Sequence, residues 1–280
     1  GQTGKTYSFS QKPDQFTVDE ENGAICIRGQ FDAEWCQHML EVSENNMENR
    51  AGRQREVDND DDPGYFYVSS YMSRQNKDFE DYILNSPSAE IAARLMRLDE
   101  VRFFYDQLFI KEPGTLAPTQ WHNDIPFWPF DGNHIASVWM ALTPVSMATS
   151  GLVYVKGSHK WNKLFQAITP DEDPAFMDET MERCPEFHKE FDNPEYEFLS
   201  WDMEPGDVLV HHPLTVHGTG KNESSTQRRV ALSCRFYGGD AVWHQERKTG
   251  FQVPGALEAG ATSGIMPTDD TVFPVCWQAA

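Results

Sequence analysis

Residues 101–111, VRFFYDQLFIK, decide the fold class of this chain. The run is dense in aromatic and β-branched side chains and contains neither glycine nor proline. Such side chains fit a pleated, half-buried surface, so the run reads as a strand. Four runs of the same kind follow: HIASVWMAL (134–142), GLVYVKGSH (151–159), VLVHH (208–212) and RRVALSCRFY (228–237). Turn dipeptides punctuate them at Pro113-Gly114, Asp131-Gly132, Gly157-Ser158 and Pro205-Gly206. Short strands separated by Gly/Pro turns imply a mainly β, double-sheet domain with helices packed outside.

Working outward, Phe31, Trp35, Met39 and Val42 recur at three- and four-residue spacing. This predicts an amphipathic helix over 31–47, with Asp32 as a favourable first-turn acid. Ser86 or Ser88 can cap a second helix, Pro87 in its first turn, running to about Leu98 through Ile91, Ala92, Leu95 and Met96. Residues before 25 read as an irregular arm with some extended structure. Residues 50–63 are strongly charged and read as an exposed loop. The stretch 160–203, rich in Asp, Glu, Pro and Phe, reads as an insertion forming a partly helical cover over a pocket mouth. From about Thr249 the Gly/Pro-rich chain is expected to wrap the surface. The expected organisation is one domain over 1–280, with a β core at about 100–240, a helical flank at about 26–98 and the cover at about 160–203.

The 280 residues are 39% hydrophobic and 12% aromatic, which supports a sizeable core rather than disorder. A formal net charge of −21 opposes nucleic acid and anionic membrane surfaces. It suits a cationic or zwitterionic small molecule better than a polyanion. No stretch approaches the roughly 18 apolar residues of a membrane span, and the opening GQTGKTYSF lacks an apolar signal region. Cys26, Cys36, Cys184, Cys234 and Cys276 form no CxxC pair. They read as unpaired thiols of a reducing compartment, and the cytoplasm is the expected location. No pattern encodes an oligomeric state.

The chemistry centres on Trp121-His122-Asn123-Asp124. On a strand, residues i and i+2 share a face, so His122 and Asp124 can reach one ion. One further imidazole gives two histidines and a carboxylate, the facial set of non-haem Fe(II) oxygenases, which leaves the opposite coordination face open for a co-substrate and O2. His217, in TVHGTGKN, supplies that imidazole from another strand, with Gly218 and Gly220 allowing a tight bend beside a ligand. The following Arg228-Arg229 can grip the distal carboxylate of a diacid such as 2-oxoglutarate. Alternation favours Arg229: it shares a face with Ala231, Ser233 and Arg235, while Val230, Leu232, Cys234 and Phe236 face the core. Arg228 remains the alternative. Trp121, Phe127, Trp128 and Trp139 are candidate pocket walls. His211 and His212 read as a strand-end pair, one of them buried and hydrogen-bonded, and His159 as a structural residue of its turn. No GxSxG elbow is present, so nothing points to acyl transfer.

The segments QWHNDIPFWPFDG, ASVWMALTPVS, GLVYVKGSHKW and VHGTGKN…RRVALSCRF together resemble the phytanoyl-CoA dioxygenase family of Fe(II)/2-oxoglutarate oxygenases. The resemblance covers about 100–240, with a weaker helical match before it. It implies a double-stranded β-helix, the cupin-like jelly roll, with flanking helices. It implies His122, Asp124 and His217 as iron ligands and Arg229 as anchor of the co-substrate. Thr219 stands where the family commonly has an assisting hydroxyl, and Gln107 is a further co-substrate contact. The His217–Arg229 loop is about one residue longer than in some relatives, which keeps Arg228 open. Related halogenases lack the carboxylate that Asp124 supplies, so halogenation is disfavoured. The implied activity is C–H hydroxylation of a small-molecule metabolite with release of succinate and CO2. Desaturation, epoxidation and oxidative cyclisation need the same cofactors. Two readings of other classes stand beside it: a non-catalytic metal- or ligand-binding barrel, and a cupin-like zinc hydrolase or extradiol-type enzyme that has no use for Arg229.

Overall fold

The structure, a computed structural model, describes residues 20–57, 64–169, 172–174, 177–248 and 252–280. Most of the expected N-terminal arm lies outside the described residues. Two antiparallel sheets face each other in a jelly roll. The larger contains β1 (Ala24–Ile27), β2 (Arg53–Val57), β3 (Phe66–Ser70), β4 (Glu100–Lys111), β7 (Ile135–Ala141), β10 (Val208–His211), β12 (Arg229–Tyr237) and β14 (Val275–Gln278). Its order is β1-β10-β7-β12-β4-β3-β2, with β14 also paired to β4. The smaller contains β5 (Thr119–His122), β8 (Leu152–Val155), β9 (Phe198–Leu199) and β11 (His217–Thr219) in the order β5-β11-β8-β9. A short pair, β6 (Phe130–Asp131) and β13 (Val242–Trp243), lies apart.

Period-two alternation divides the larger sheet into two faces. Val230, Leu232, Cys234 and Phe236 of β12 pack with Val138 and Met140 of β7 and Val208 and Val210 of β10. This face is covered by α1 (Ala33–Asn49), α2 (Lys77–Asn85) and α3 (Ser88–Met96), through Met39, Phe79, Tyr82, Ile83, Ile91 and Ala92. Burying each of these larger side chains contributes on the order of 1.5–3 kcal/mol. The opposite face, with Arg229, Trp139 and Leu209, looks into the barrel. A bulge near Phe104 keeps both faces in phase: Arg235 pairs with Tyr105 but Phe236 with Phe103.

Several expectations are corrected. Asp32 caps α1 rather than entering its first turn; its carboxylate accepts from the Trp35 N–H at 2.9 Å. The second expected helix begins at Ser88 with Pro87 before it, no side chain caps it, and it ends at Met96. A separate helix, α2, precedes it, capped by Asn76. Residues 53–57 form strand β2 against β3, not a loop, while 58–63 lie outside the described residues. The described part of 160–203 contains 3-10 turns and β9 but no α-helix. The tail does more than wrap the surface: it ends in β14. Gly206, in one of the four turn dipeptides, sits at φ +92, where a Cβ would lie 2.6 Å from the Phe31 carbonyl. All five cysteines are free, and among the described residues no helix is long and apolar enough to cross a membrane.

Candidate active site

β5 and β11 run antiparallel with His122 and His217 directly opposite each other, their ring centroids 4.3 Å apart. Asp124 joins them by a route other than strand alternation. The strand ends at His122, the chain turns, and Asp124 has helical φ/ψ at the head of a short 3-10 turn. Its N–H donates to the Pro213 carbonyl at 2.9 Å, which fixes the turn. One donor atom from each of His122, Asp124 and His217 lies within 4.8 Å of the others.

The hydrogen bonds define what these atoms can accept. The Nδ1–H of His122 donates to the Gln120 carbonyl at 2.6 Å, and that of His217 to the Thr215 carbonyl at 2.9 Å. These contacts assign the proton to Nδ1 and leave each Nε2 with a lone pair. The two Nε2 atoms sit 3.5 and 3.6 Å from Asp124 Oδ1. Three acceptors thus converge with no proton between them, an arrangement that fits a metal cation. Burial, with His122 and His211 close by, holds the His217 imidazole well below its ordinary pKa and therefore neutral. Burial pushes the Asp124 carboxyl up, but the polar groups around it, including the His211 Nε2–H that donates to it, keep it well below the usual range. Neutral imidazoles and an ionised carboxylate are the ligating forms.

His211, at the end of β10, does not belong to this donor set. It donates from Nε2 to Asp124 Oδ2 at 3.0 Å, and the Ser137 hydroxyl donates to the same oxygen at 3.0 Å. His211 Nδ1 accepts from the Tyr154 hydroxyl at 3.0 Å. Of the strand-end pair His211 is the buried, hydrogen-bonded member, and its partner, in a distant turn, has no sequence signal. His212 is part-buried, bonds locally to the Leu214 N–H, and is pushed down to about 4 by burial. His159 ties not its own turn but the N-terminal segment, through the Glu20 carbonyl.

The three donors open into a cavity of about 390 Å³, the size of small-molecule sites. Arg229 lines it, 2% exposed, its guanidinium 5.7 Å from the Trp139 ring. Its Nε has no partner, and among the described residues no carboxylate pairs with it. Burial alone lowers its pKa to about 9. Arg228 points outward to Glu44 at 2.9 Å and Glu112 at 2.8 Å. Phe127, Trp128, Trp139, Gln107 and Thr219 all line the cavity. The Thr219 hydroxyl accepts from the Lys111 ammonium at 2.9 Å and the Thr119 N–H at 3.1 Å. Lys111, Tyr105 and the inward side of β2 had not been singled out from the sequence. Trp121 is a correction: it neighbours His122 in β5 and therefore faces the opposite way, against Phe187 and Phe198. Gly218 and Gly220 carry no positive φ. Gly218 instead permits close approach of β5, where a Cβ would lie 3.0 Å from Trp121.

The family model described as phytanoyl-CoA dioxygenase matches residues 20–230. The chain belongs to the phytanoyl-CoA dioxygenase family of Fe(II)/2-oxoglutarate oxygenases. It is 28% identical over 120 residues to the probable phytanoyl-CoA dioxygenase of Caenorhabditis elegans, a match covering 42% of this chain and 36% of that protein. It is 28% identical over 139 residues to the probable alpha-ketoglutarate-dependent hypophosphite dioxygenase of Stutzerimonas stutzeri, covering 48% and 44%. The match thus spans well under two thirds of either relative. The epimerase SnoN, solved with Fe3+, alpha ketoglutarate and nogalamycin RO, shares the fold at a TM-score of 0.70 and 19% identity, over 94% of this chain and 97% of that one.

Proposed function

We propose that this chain is an Fe(II)- and 2-oxoglutarate-dependent oxygenase that hydroxylates a C–H bond of a small-molecule metabolite, releasing succinate and CO2. The observation that carries the reading is the pairing of a three-acceptor cluster with a buried, carboxylate-free Arg229 in one cavity. His122, Asp124 and His217 would hold the iron. Arg229 binds the co-substrate's distal carboxylate, and Thr219 and Gln107 assist. His211 and Ser137 orient the Asp124 carboxylate, and the Gln120 and Thr215 carbonyls orient the imidazoles. Phe127, Trp128 and Trp139 exclude water and position the substrate. Iron with 2-oxoglutarate and O2 supplies the oxidative step when bound; the protein supplies position. A zinc-type or extradiol enzyme has no use for Arg229, a buried arginine that no carboxylate of the described residues pairs with. The 160–203 stretch is a cover over the mouth, a role supported by Ile168 and Thr169 in the cavity lining and by Arg55–Asp173 at 3.5 Å. A cytoplasmic setting, supported by five free thiols, and action on a small molecule rather than nucleic acid or membrane belong to the same reading.

The test is succinate formation from 2-oxoglutarate by purified protein with Fe(II), ascorbate and O2, then with a metabolite extract screened by mass. Succinate production that needs Fe(II) and disappears in Asp124→Ala is expected. A gain of one oxygen in a metabolite marks hydroxylation, whereas loss of two hydrogens marks desaturation or cyclisation. Protein that binds neither Fe(II) nor 2-oxoglutarate overturns the proposal.

A further inference from the structure

The cavity holds a second buried cation that the oxygenase reading does not use. Arg235 lies on the inner face of β12, on the same alternation as Arg229, and is 5% exposed. Its guanidinium stacks 4.5 Å from the Tyr105 ring centroid and 5.9 Å from that of Phe109. Its hydrogen bonding is nearly empty: Nη1 donates to the Ser233 carbonyl at 3.4 Å, and Nε is buried without a partner. Among the described residues no carboxylate pairs with it. A buried, unpaired guanidinium is costly, and such groups are kept where a ligand completes them.

The neighbourhood points the same way. The chain carries −21 overall, yet among the described residues its cavity is lined by four arginines, Arg53, Arg55, Arg229 and Arg235, and two carboxylates, Glu56 and Asp124. Arg55 is paired with Asp173. Among the buried lining residues, Arg229 and Arg235 stand against Asp124 alone, a balance opposite in sign to that of the whole chain, and the cationic substrate expected from net charge does not suit it. In the oxygenase reading the iron and Arg229 would take the two carboxylates of 2-oxoglutarate. With its carbon over the Tyr105 ring, the Arg235 fork has N–H groups left for a planar or tetrahedral anion.

We propose that Arg235 receives an acidic group of the substrate, so that the substrate class is a small organic carboxylate or phosphate. This rests on the oxygenase reading above. The test is calorimetric titration of protein loaded anaerobically with Fe(II) and 2-oxoglutarate, using phenylacetate, phenyl phosphate and the neutral isostere phenylacetamide. At least one acid is expected to bind ten-fold or more tightly than the amide. The tighter of the two distinguishes carboxylate from phosphate. Arg235→Gln is expected to abolish that preference, Arg235→Lys to retain part of it, and both to bind 2-oxoglutarate as the parent does. Parent protein that binds the acids no better than the amide, or not at all, overturns the proposal without needing any variant. Loss of 2-oxoglutarate binding in Arg235→Gln also overturns it, because the residue then belongs to the co-substrate. Failure of the parent to load Fe(II) and 2-oxoglutarate is a different result, and sinks the oxygenase reading itself.

Discussion

His211 Nε2 lies 3.0 Å from Asp124 Oδ2, and both residues are buried, 3% and 5% exposed. The bond spans two strands and a turn, and it fixes which Asp124 oxygen is left for the two other histidines. His211 is thus a positioning residue, with Tyr154 setting its tautomer from behind. Outer contacts of this kind are worth about 10–100-fold in metal affinity. Titration of Fe(II) into metal-free protein should show a loss in that range for His211→Ala and a smaller one for Tyr154→Phe. Unchanged affinity in His211→Ala would show that the turn alone holds Asp124.

Arg228 and Arg229 are adjacent in sequence and opposite in environment. Arg228, itself partly exposed, shares two carboxylates, Glu44 and Glu112, and surface pairs contribute on the order of 0–1 kcal/mol. Arg229 faces the cavity with no carboxylate of the described protein. A hydrogen bond to a charged group is worth about 1.5–3 kcal/mol, or roughly 10–150-fold. Arg229→Ala should therefore raise the KM for 2-oxoglutarate by about that factor, with Arg228→Ala near the parent. Steady-state succinate assays across 2-oxoglutarate concentrations decide it, and the reverse ranking would move the anchor to Arg228.

What the sequence made legible was periodicity. Alternation along β12 separated Arg229 from Val230 correctly, because each face meets a different solvent, cavity or helix layer. The same rule brought Asp124 beside His122 by the wrong path, since a turn rather than a strand carries it. Composition misled at β2: RQREV looks like a loop, yet its ladder to β3 uses backbone groups and its polar side chains border the cavity. Helix α2 was readable in principle from Phe79, Tyr82 and Ile83, but four acidic or amide side chains among nine residues obscured that stripe. The His211–Asp124 bond and the stacking of Arg235 on Tyr105 are tertiary contacts without local signature.

Asp106 offers a pH-dependent prediction away from the cavity. It is fully buried in β4, its Oδ2 accepts from the Ser73 N–H at 2.9 Å, and its Oδ1 has no partner. Burial, only partly offset by these hydrogen bonds, raises its pKa to about 6. The unfolded chain releases this proton near pH 4, while the native state keeps it until about pH 6. The native state therefore binds more protons in that window, and the contribution of Asp106 to stability falls as pH rises through it. The full loss is on the order of 2–3 kcal/mol. Asp106→Asn mimics the protonated acid at every pH. Urea unfolding should find it close to the parent near pH 4 and more stable by roughly 2 kcal/mol near pH 8. A constant difference across that range would mean that Asp106 is not the group that titrates.

Gly218 lies in β11 and its missing side chain faces β5, the other histidine-bearing strand, so that it sets their separation. A Cβ there would lie 3.0 Å from Trp121 Cδ2 and 3.1 Å from the Thr119 carbonyl. The indole cannot easily yield, because Phe187, Phe191 and Phe198 surround it edge-on. The strain of Gly218→Ala must therefore push β5 from β11, and the His122–His217 pair lies one residue away in that ladder. Overpacking of this kind costs about 1–3 kcal/mol. The expected outcome is a lower melting temperature together with weaker Fe(II) binding. Gly220→Ala is the control: nothing lies within 4 Å of its added Cβ, and its φ is not positive. There the methyl should leave stability unchanged or raise it slightly, by stiffening the unfolded chain. If both variants melt alike and bind iron alike, the spacing of β5 and β11 does not govern the metal centre.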